Sequence, residues 1–381
     1  MNNTIVWVVV ALLAIGGLWW LATSGSGGTP VQTEGPFKIG VIAPLTGDGA
    51  IYGEPMRNVL VIAAEELNAM DAATTDDIEL VIEDGKCDGT GGASAAQKLV
   101  NVDKVQAILG GFCSGETIPS VPIAAAGKVV LFSPSASSPA LTGISPYFFR
   151  NYPSDSKQGE VLADVANKKG YKTIAFLTEQ TDYATGLYNS FKTSFEALGG
   201  TVTNEEFPTA NTDFRSTITK VKAAAPDAVF ISTQTPQAAE RILKQMSELG
   251  YKPQLFVSDV TMGEPELLMK NKALLEGAIG AEFVPDTANA KLSALMAKYK
   301  AKYGKDMPYI GYMSTTYDAA YAIVDGIKAV GYSGEALAAW SRTIANWEGA
   351  SGATTIGANG DRVSGHKAEI VKDGKATLLT L

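Results

Sequence analysis

Along the chain, short runs of β-branched and aliphatic residues alternate with longer stretches in which apolar positions recur every three or four residues. Lys38–Ala43, Glu79–Glu83, Ala107–Leu109 and Val129–Phe132 read as strands with helices between them. In the first helix Met56, Val59, Leu60, Ala63 and Leu67 share one face while Arg57, Glu65 and Glu66 point away, so that face packs on a sheet. The alternation restarts at Thr173–Leu177 and continues through Val202–Phe207, Ala228–Ile231 and Leu255–Val257 to about Ile279, which predicts a second parallel sheet. One of its helices, Gln237–Leu249, aligns Ile242, Leu243, Met246 and Leu249, pairs Glu240 with Lys244 at i,i+4, and stops at Gly250. Further helices are predicted over Ala288–Tyr303, Thr315–Val330 and Glu335–Trp347, then strands over Lys367–Val371 and Ala376–Leu379. Strand-helix-strand alternation is the doubly wound α/β signature, and residues 37–381 exceed what one core accommodates, so two lobes with a ligand cleft between them are expected.

Composition adds where the chain works. Ile5–Ala22 is uninterruptedly apolar and, as a helix of roughly 27 Å, nearly matches a ~30 Å hydrocarbon core. Residues 1–24 are read as a signal peptide or membrane anchor, with Ala22-Thr23-Ser24 as a loose cleavage site and no following cysteine to take a lipid. Residues 25–36 are a flexible tether, and the remainder is expected outside the cytoplasm. That compartment favours a Cys87–Cys113 disulfide, whereas a two-thiol metal site lacks partners because the one histidine, His366, lies far away. A net charge of −9 and a pI near 4.9 argue against nucleic acid or anionic lipid. No cofactor or metal is expected.

Two serine-headed turns carry the candidate chemistry, Gly110-Gly111-Phe112-Cys113-Ser114-Gly115 and Ser133-Pro134-Ser135-Ala136-Ser137-Ser138-Pro139. Each follows an apolar run and precedes a helix-like segment. The first turn of a helix leaves backbone N–H groups unpaired and partially positive, so such turns suit a carboxylate, although serine also caps helices with no ligand involved.

Lys38-Ile39-Gly40-Val41-Ile42-Ala43-Pro44-Leu45-Thr46-Gly47 followed by Tyr52-Gly53 resembles the start of the periplasmic leucine/isoleucine/valine-binding proteins, the type I solute receptors of ABC importers. Cys87-Asp88, Cys113-Ser114, Ser133 to Thr142, Tyr183 to Leu187, Gly360-Asp361 and Val371 to Lys375 follow at similar spacing. The resemblance implies two parallel-sheet lobes, 37–152 with 283–357 and 153–282 with 358–381, joined by a three-strand hinge and closing on ligand. It implies that Ser114, Ser135 and Ser137 hold an amino acid's carboxylate, that Tyr52 lines its side-chain end and that Tyr183 closes over it. It further implies a monomer that delivers to permease subunits in the membrane. The chain departs from the family at the ammonium end. Gln234 stands where a tyrosine is usual and Val260 where an acid is usual, with Asp259 one residue earlier; Asp182 is a second candidate acid with a solvated loop role as its simpler reading.

If Asp259 faces away, the ligand becomes a neutral amide, a urea-like compound or a small carboxylate. A sensor that reports to a receptor is the neighbouring alternative to transport. An enzyme is not expected: there is no G-x-S-x-G turn, Gly47-Asp48-Gly49 with Gly53 misses the dinucleotide spacing, and His366 is read as a solvated edge residue.

Overall fold

The computed structural model describes residues 36–70 and 77–380. The predicted N-terminal apolar segment and the tether lie outside the described residues. Among the described residues no helix is long and apolar enough to cross a membrane.

Five parallel strands form the first sheet: β1 (Phe37–Ala43), β2 (Ile78–Asp84), β3 (Ala107–Leu109), β4 (Val130–Ser133) and β5 (Phe148–Arg150), in the order β2-β1-β3-β4-β5. The second sheet has seven strands. Its parallel part comprises β6 (Thr173–Glu179), β7 (Thr201–Phe207), β8 (Ala228–Ser232), β9 (Leu255–Val257) and β10 (Ile279–Glu282). After a small hairpin, β11 (Trp347–Gly349) and β12 (Gly352–Thr354), the chain returns to add β13 (Lys367–Lys372) antiparallel to β10 and β14 (Lys375–Leu378) antiparallel to β13, giving β14-β13-β10-β9-β8-β6-β7.

Helices cover both faces of each sheet, and the period-two alternation of strand side chains decides which face each residue serves. In β6, Ala175 and Leu177 join one apolar cluster while Ile174 and Phe176 join the other. In the first lobe, α1 (Ala50–Met70) packs on one face, and α2 (Gly89–Asn101) and α3 (Ser114–Ala126) on the other. The second lobe uses α4 (Asp155–Lys168) and α5 (Asp182–Ala197) on one face. Its other face takes α6 (Arg215–Ala224), α7 (Pro236–Glu248) and the short α8 (Asp259–Met262), α9 (Pro265–Lys270) and α10 (Lys272–Leu275). The chain then goes back to the first lobe for α11 (Ala290–Tyr303), α12 (Ile310–Val330) and α13 (Gly334–Ser341). It therefore crosses between sheets three times, after β5, after β10 and before β13.

The predicted face of α1 is the buried one, since Met56, Val59, Leu60, Ala63 and Leu67 all sit in the core. Three expectations need correction. The helix predicted over Glu335–Trp347 ends at Ser341, and Trp347 opens β11, because Thr343 and Asn346 are poor helix formers and Asn346 takes a left-handed φ of 50°. The penultimate helix starts earlier, at Ile310, immediately after Tyr309 breaks the chain direction at φ 48°. Glu240 pairs with Lys270 at 2.5 Å instead of with Lys244, since α9 brings that lysine across the helix surface.

Candidate functional site

The two serine turns are built from the ends of β3 and β4 and are stitched to each other. Gly110 adopts φ 128°, and a Cβ there would overlap the carbonyl oxygen of Ile42, so only glycine fits the departure from β3. The buried Glu116 carboxylate then accepts from the amides of Phe112 (2.5 Å), Cys113 (3.1 Å) and Cys87 (2.9 Å), and burial pushes its pKa up to about 7. The Cys87–Cys113 disulfide, with Cα atoms 5.1 Å apart, ties the same two loops. Ser133 donates to the Gly111 carbonyl at 2.7 Å and Ser135 to the Phe112 carbonyl at 2.6 Å, while Ser114 Oγ accepts the amide of Ser138 at 3.1 Å. Arg150, wholly buried, anchors the second turn by donating to the carbonyls of Ala136 (3.1 Å) and Ser138 (2.9 Å) and to Asp361 (2.7 Å).

From the second lobe comes Asp259, the first residue of α8, 1% exposed. Its carboxylate accepts from Tyr152 (3.0 Å), Gln158 (3.1 Å), Tyr312 (2.7 Å) and, over a short contact, Tyr183. Burial raises all three tyrosine pKa values, so these groups stay protonated donors. A second acid, Asp155, is fully buried; its Oδ2 accepts from Ser137 at 2.7 Å and its Oδ1 has no partner. Burial first, and the charge of Asp259 second, push its pKa well up.

Tyr52, Ser114, Ser135, Ser137, Tyr183 and Gln234 line one cavity of about 20 Å³, together with Phe112, Val260 and Tyr312. That is room for about one water, so the lobes are shut. Across the closed cleft Tyr52 donates to the Gln234 carbonyl at 3.1 Å, Tyr312 to Asp259 and Ser137 to Asp155. Val260 contributes to the wall, whereas the Asp259 carboxylate lies behind Tyr183 and Tyr312 and is presented to the cavity through their hydroxyls. Tyr52 stacks on Phe112 with centroids 5.1 Å apart, and Tyr312 meets Phe112 edge-on at 5.5 Å. Asp182 is an exposed residue at the start of α5, outside this cavity.

Sequence reading missed Asp155, Tyr152, Gln158 and Tyr312, which sit in helix or crossover segments whose pattern resembles ordinary packing. The spacing of Gln158 with Leu162 and Val165, which puts a polar residue on the buried face of α4, was the available signal. His366 needs correction: it is 6% exposed, its ring packs on Tyr152 at 5.7 Å, neither ring nitrogen has a partner, and burial lowers its pKa to about 4. A solvated edge role fails because the third crossover runs beneath Tyr152 before reaching β13. Among the described residues no group of three or more His, Cys, Asp or Glu side chains is placed to hold a metal ion.

A family model described as periplasmic binding protein matches residues 36–372. The Leu/Ile/Val-binding protein homolog 2 of Brucella abortus (strain 2308) is 32% identical over 302 residues, covering 77% of this chain and 79% of the relative. The leucine binding protein LivK of Thermotoga maritima has a TM-score of 0.81 at 29% identity, covering 90% of this chain and 98% of its own. A solute binding protein of an ABC transporter from Rhodopseudomonas palustris, solved with 3,4-dihydroxy benzoic acid, has a TM-score of 0.78 at 25% identity, covering 90% and 96%. With two parallel-sheet lobes, a cleft between them and these relatives, the chain belongs to the periplasmic binding protein family, among the leucine/isoleucine/valine-binding solute receptors of ABC importers.

Proposed function

We propose that this protein captures a small aliphatic α-amino acid in the interlobe cleft, outside the cytoplasm, and presents it as a monomer to the permease of an ABC importer. The observation that carries the reading is Asp259, a buried carboxylate surrounded by neutral donors and unpaired with any lysine or arginine among the described residues. A ligand ammonium replaces some of those donors with a full opposite charge and so recovers the desolvation cost of the carboxylate. The ligand's own carboxylate lies toward Ser114 and the first turn of α3, where hydroxyl and backbone donors converge. Tyr52, Phe112 and Gln234 then border the side chain. Closure follows by population shift, because only the shut form lets one solute touch both lobes.

A second reading rests on the same residues. Asp259 already has four donors, and the aromatic wall of Tyr52, Phe112 and Tyr312 suits a flat ring, as in the Rhodopseudomonas relative solved with a dihydroxybenzoic acid. A thermal-shift and calorimetry panel separates the two. Leucine, isoleucine and valine are compared with 4-methylpentanoate, which lacks the ammonium, with leucinamide, which lacks the carboxylate, and with 3,4-dihydroxybenzoate. A true ligand at a hundred times its Kd adds ~2.7 kcal/mol of stability. Binding of leucine but not of 4-methylpentanoate supports the amino-acid reading, whereas binding of the aromatic acid alone replaces it.

A further inference from the structure

Behind the cleft, where the second and third crossovers meet, lies a much larger cavity of about 480 Å³. Its walls are Met262, Leu268 and Met269 from the second lobe, Val284 from the crossover after β10, and Met307 and Ile310 from the approach to α12. Two carboxylates, Glu282 and Glu369, open into this apolar surround. Strand register explains why both arrive there. Gly280 pairs with Glu369 and Glu282 with Lys367, so positions 280, 282 and 369 share one face of the sheet. A Cβ on Gly280 would overlap Met262, which identifies that face as the one turned to the cavity. Glu282 Oε1 would lie 2.7 Å from a Cβ on Gly263 and 3.5 Å from one on Gly311, so this carboxylate sits between the two lobes.

Neither acid accepts a hydrogen bond or forms an ion pair among the described residues, and Glu369, 5% exposed, keeps a buried Oε2 with no partner. Lys367 lowers the pKa of Glu369 and Lys375 lies at the cavity's rim, but both lysines are exposed and neither bridges to these carboxylates. We propose that this hinge cavity is a second ligand site, for a protonated amine carried on an apolar body of several carbons. The volume falls in the range of small-molecule sites, mostly apolar with a few convergent polar groups. An ammonium supplies the charge the two acids lack, and the methionine-rich wall adapts to an alkyl body. A bare metal ion fits poorly, because the cavity offers two carboxylates and no third ligand of that kind. Burial holds Glu369 at about 7 and raises Glu282 well above its usual range, with the charges of Glu369 and then of Asp259 adding to it. An ammonium entering the site favours the ionised form of both acids, so its binding is coupled to proton release as far as they are protonated. The site is lined by other residues than the cleft cavity, and it adjoins the cleft through the Asp259–Met262 helix.

The test uses hexylammonium as probe, with hexan-1-ol and hexanoate as its neutral and anionic counterparts, on protein labelled with 13C at the methionine methyls. The expected result is that hexylammonium raises the melting temperature and moves the Met262, Met269 and Met307 methyl signals, while the alcohol and the acid do neither. Glu369→Gln and Glu282→Gln, each checked for native circular dichroism, should raise its Kd by about tenfold or more. Binding should tighten as pH rises from about 6 to 8, and Asp259→Asn should retain it. Equal binding of hexan-1-ol, undiminished binding in both glutamine variants, or loss in Asp259→Asn with the three methyl signals unmoved would overturn the proposal, as would no binding at all.

Discussion

Asp259 in the cleft and Glu369 in the hinge cavity are both buried carboxylates in the same lobe, yet one accepts four hydrogen bonds around a cavity of about 20 Å³ and the other faces about 480 Å³ with none. The difference lies in who stabilises the charge. Phenol and amide donors satisfy the Asp259 carboxylate, with no counter-charge of the protein's own beside it among the described residues. At the hinge no donor is supplied, so a proton does that work and the pKa of Glu369 rises to about 7.

The largest effect that would break this contrast is at Asp259. Asp259→Asn is expected to weaken leucine binding by about 2–5 kcal/mol, read by calorimetry, because it removes the carboxylate proposed to meet the ligand's ammonium. An unchanged Kd would make the tyrosine cluster a packing feature. Next in size is the disulfide, which fixes the rim of the cleft and has no counterpart at the hinge. Replacing Cys87 and Cys113 by alanine should lower the unfolding free energy by about 3 kcal/mol in urea denaturation.

The pH dependence sharpens the comparison from the hinge side. Folded Glu369 titrates at about 7 against 4.5 in a free chain, so the native state holds the extra proton and stability falls as pH rises from about 4.5 to 7. Glu369→Gln should make that limb shallower in thermal melts and leave the share that buried Glu116, also at about 7, contributes over the same range. His366 acts in the opposite sense: at about 4 when folded against 6.5 unfolded, it makes stability fall as pH drops from about 6.5 to 4. His366→Gln should remove that acid limb and leave the Glu369 limb in place. The smallest effect is expected from Tyr52→Phe, which deletes only the bond to the Gln234 carbonyl. It should cost about 1 kcal/mol of ligand affinity by calorimetry, through a less favoured closed form.

Periodicity made the two-sheet frame legible, because β1, β6 and β8 and the inner face of α1 are long enough for their apolar pattern to stand out. The three-residue β3 and β9 were readable because they are wholly aliphatic or aromatic runs, whereas β5 carries Arg150 and β11 carries Glu348 and Gly349, so neither stands out as an apolar run. At the site, the serine turns were readable from glycine and serine chemistry next to strand ends. What Ser137 does there was not, because its partner Asp155 is 18 residues away and across a crossover. His366 misled for the same reason, since a strand-adjacent histidine between Gly365 and Lys367 looks exposed until Tyr152 is placed over it.

The triple crossing also makes the first sheet depend on chain that arrives late. When a growing chain has reached about residue 285, the second lobe has its parallel strands and its helices, but Ile39, Leu109 and Phe132 of the first sheet still await α12, which packs over them from residue 310 onward. A chain cut near residue 285 would therefore keep all five strands of the first sheet but leave one of its faces without the later helices that cover it.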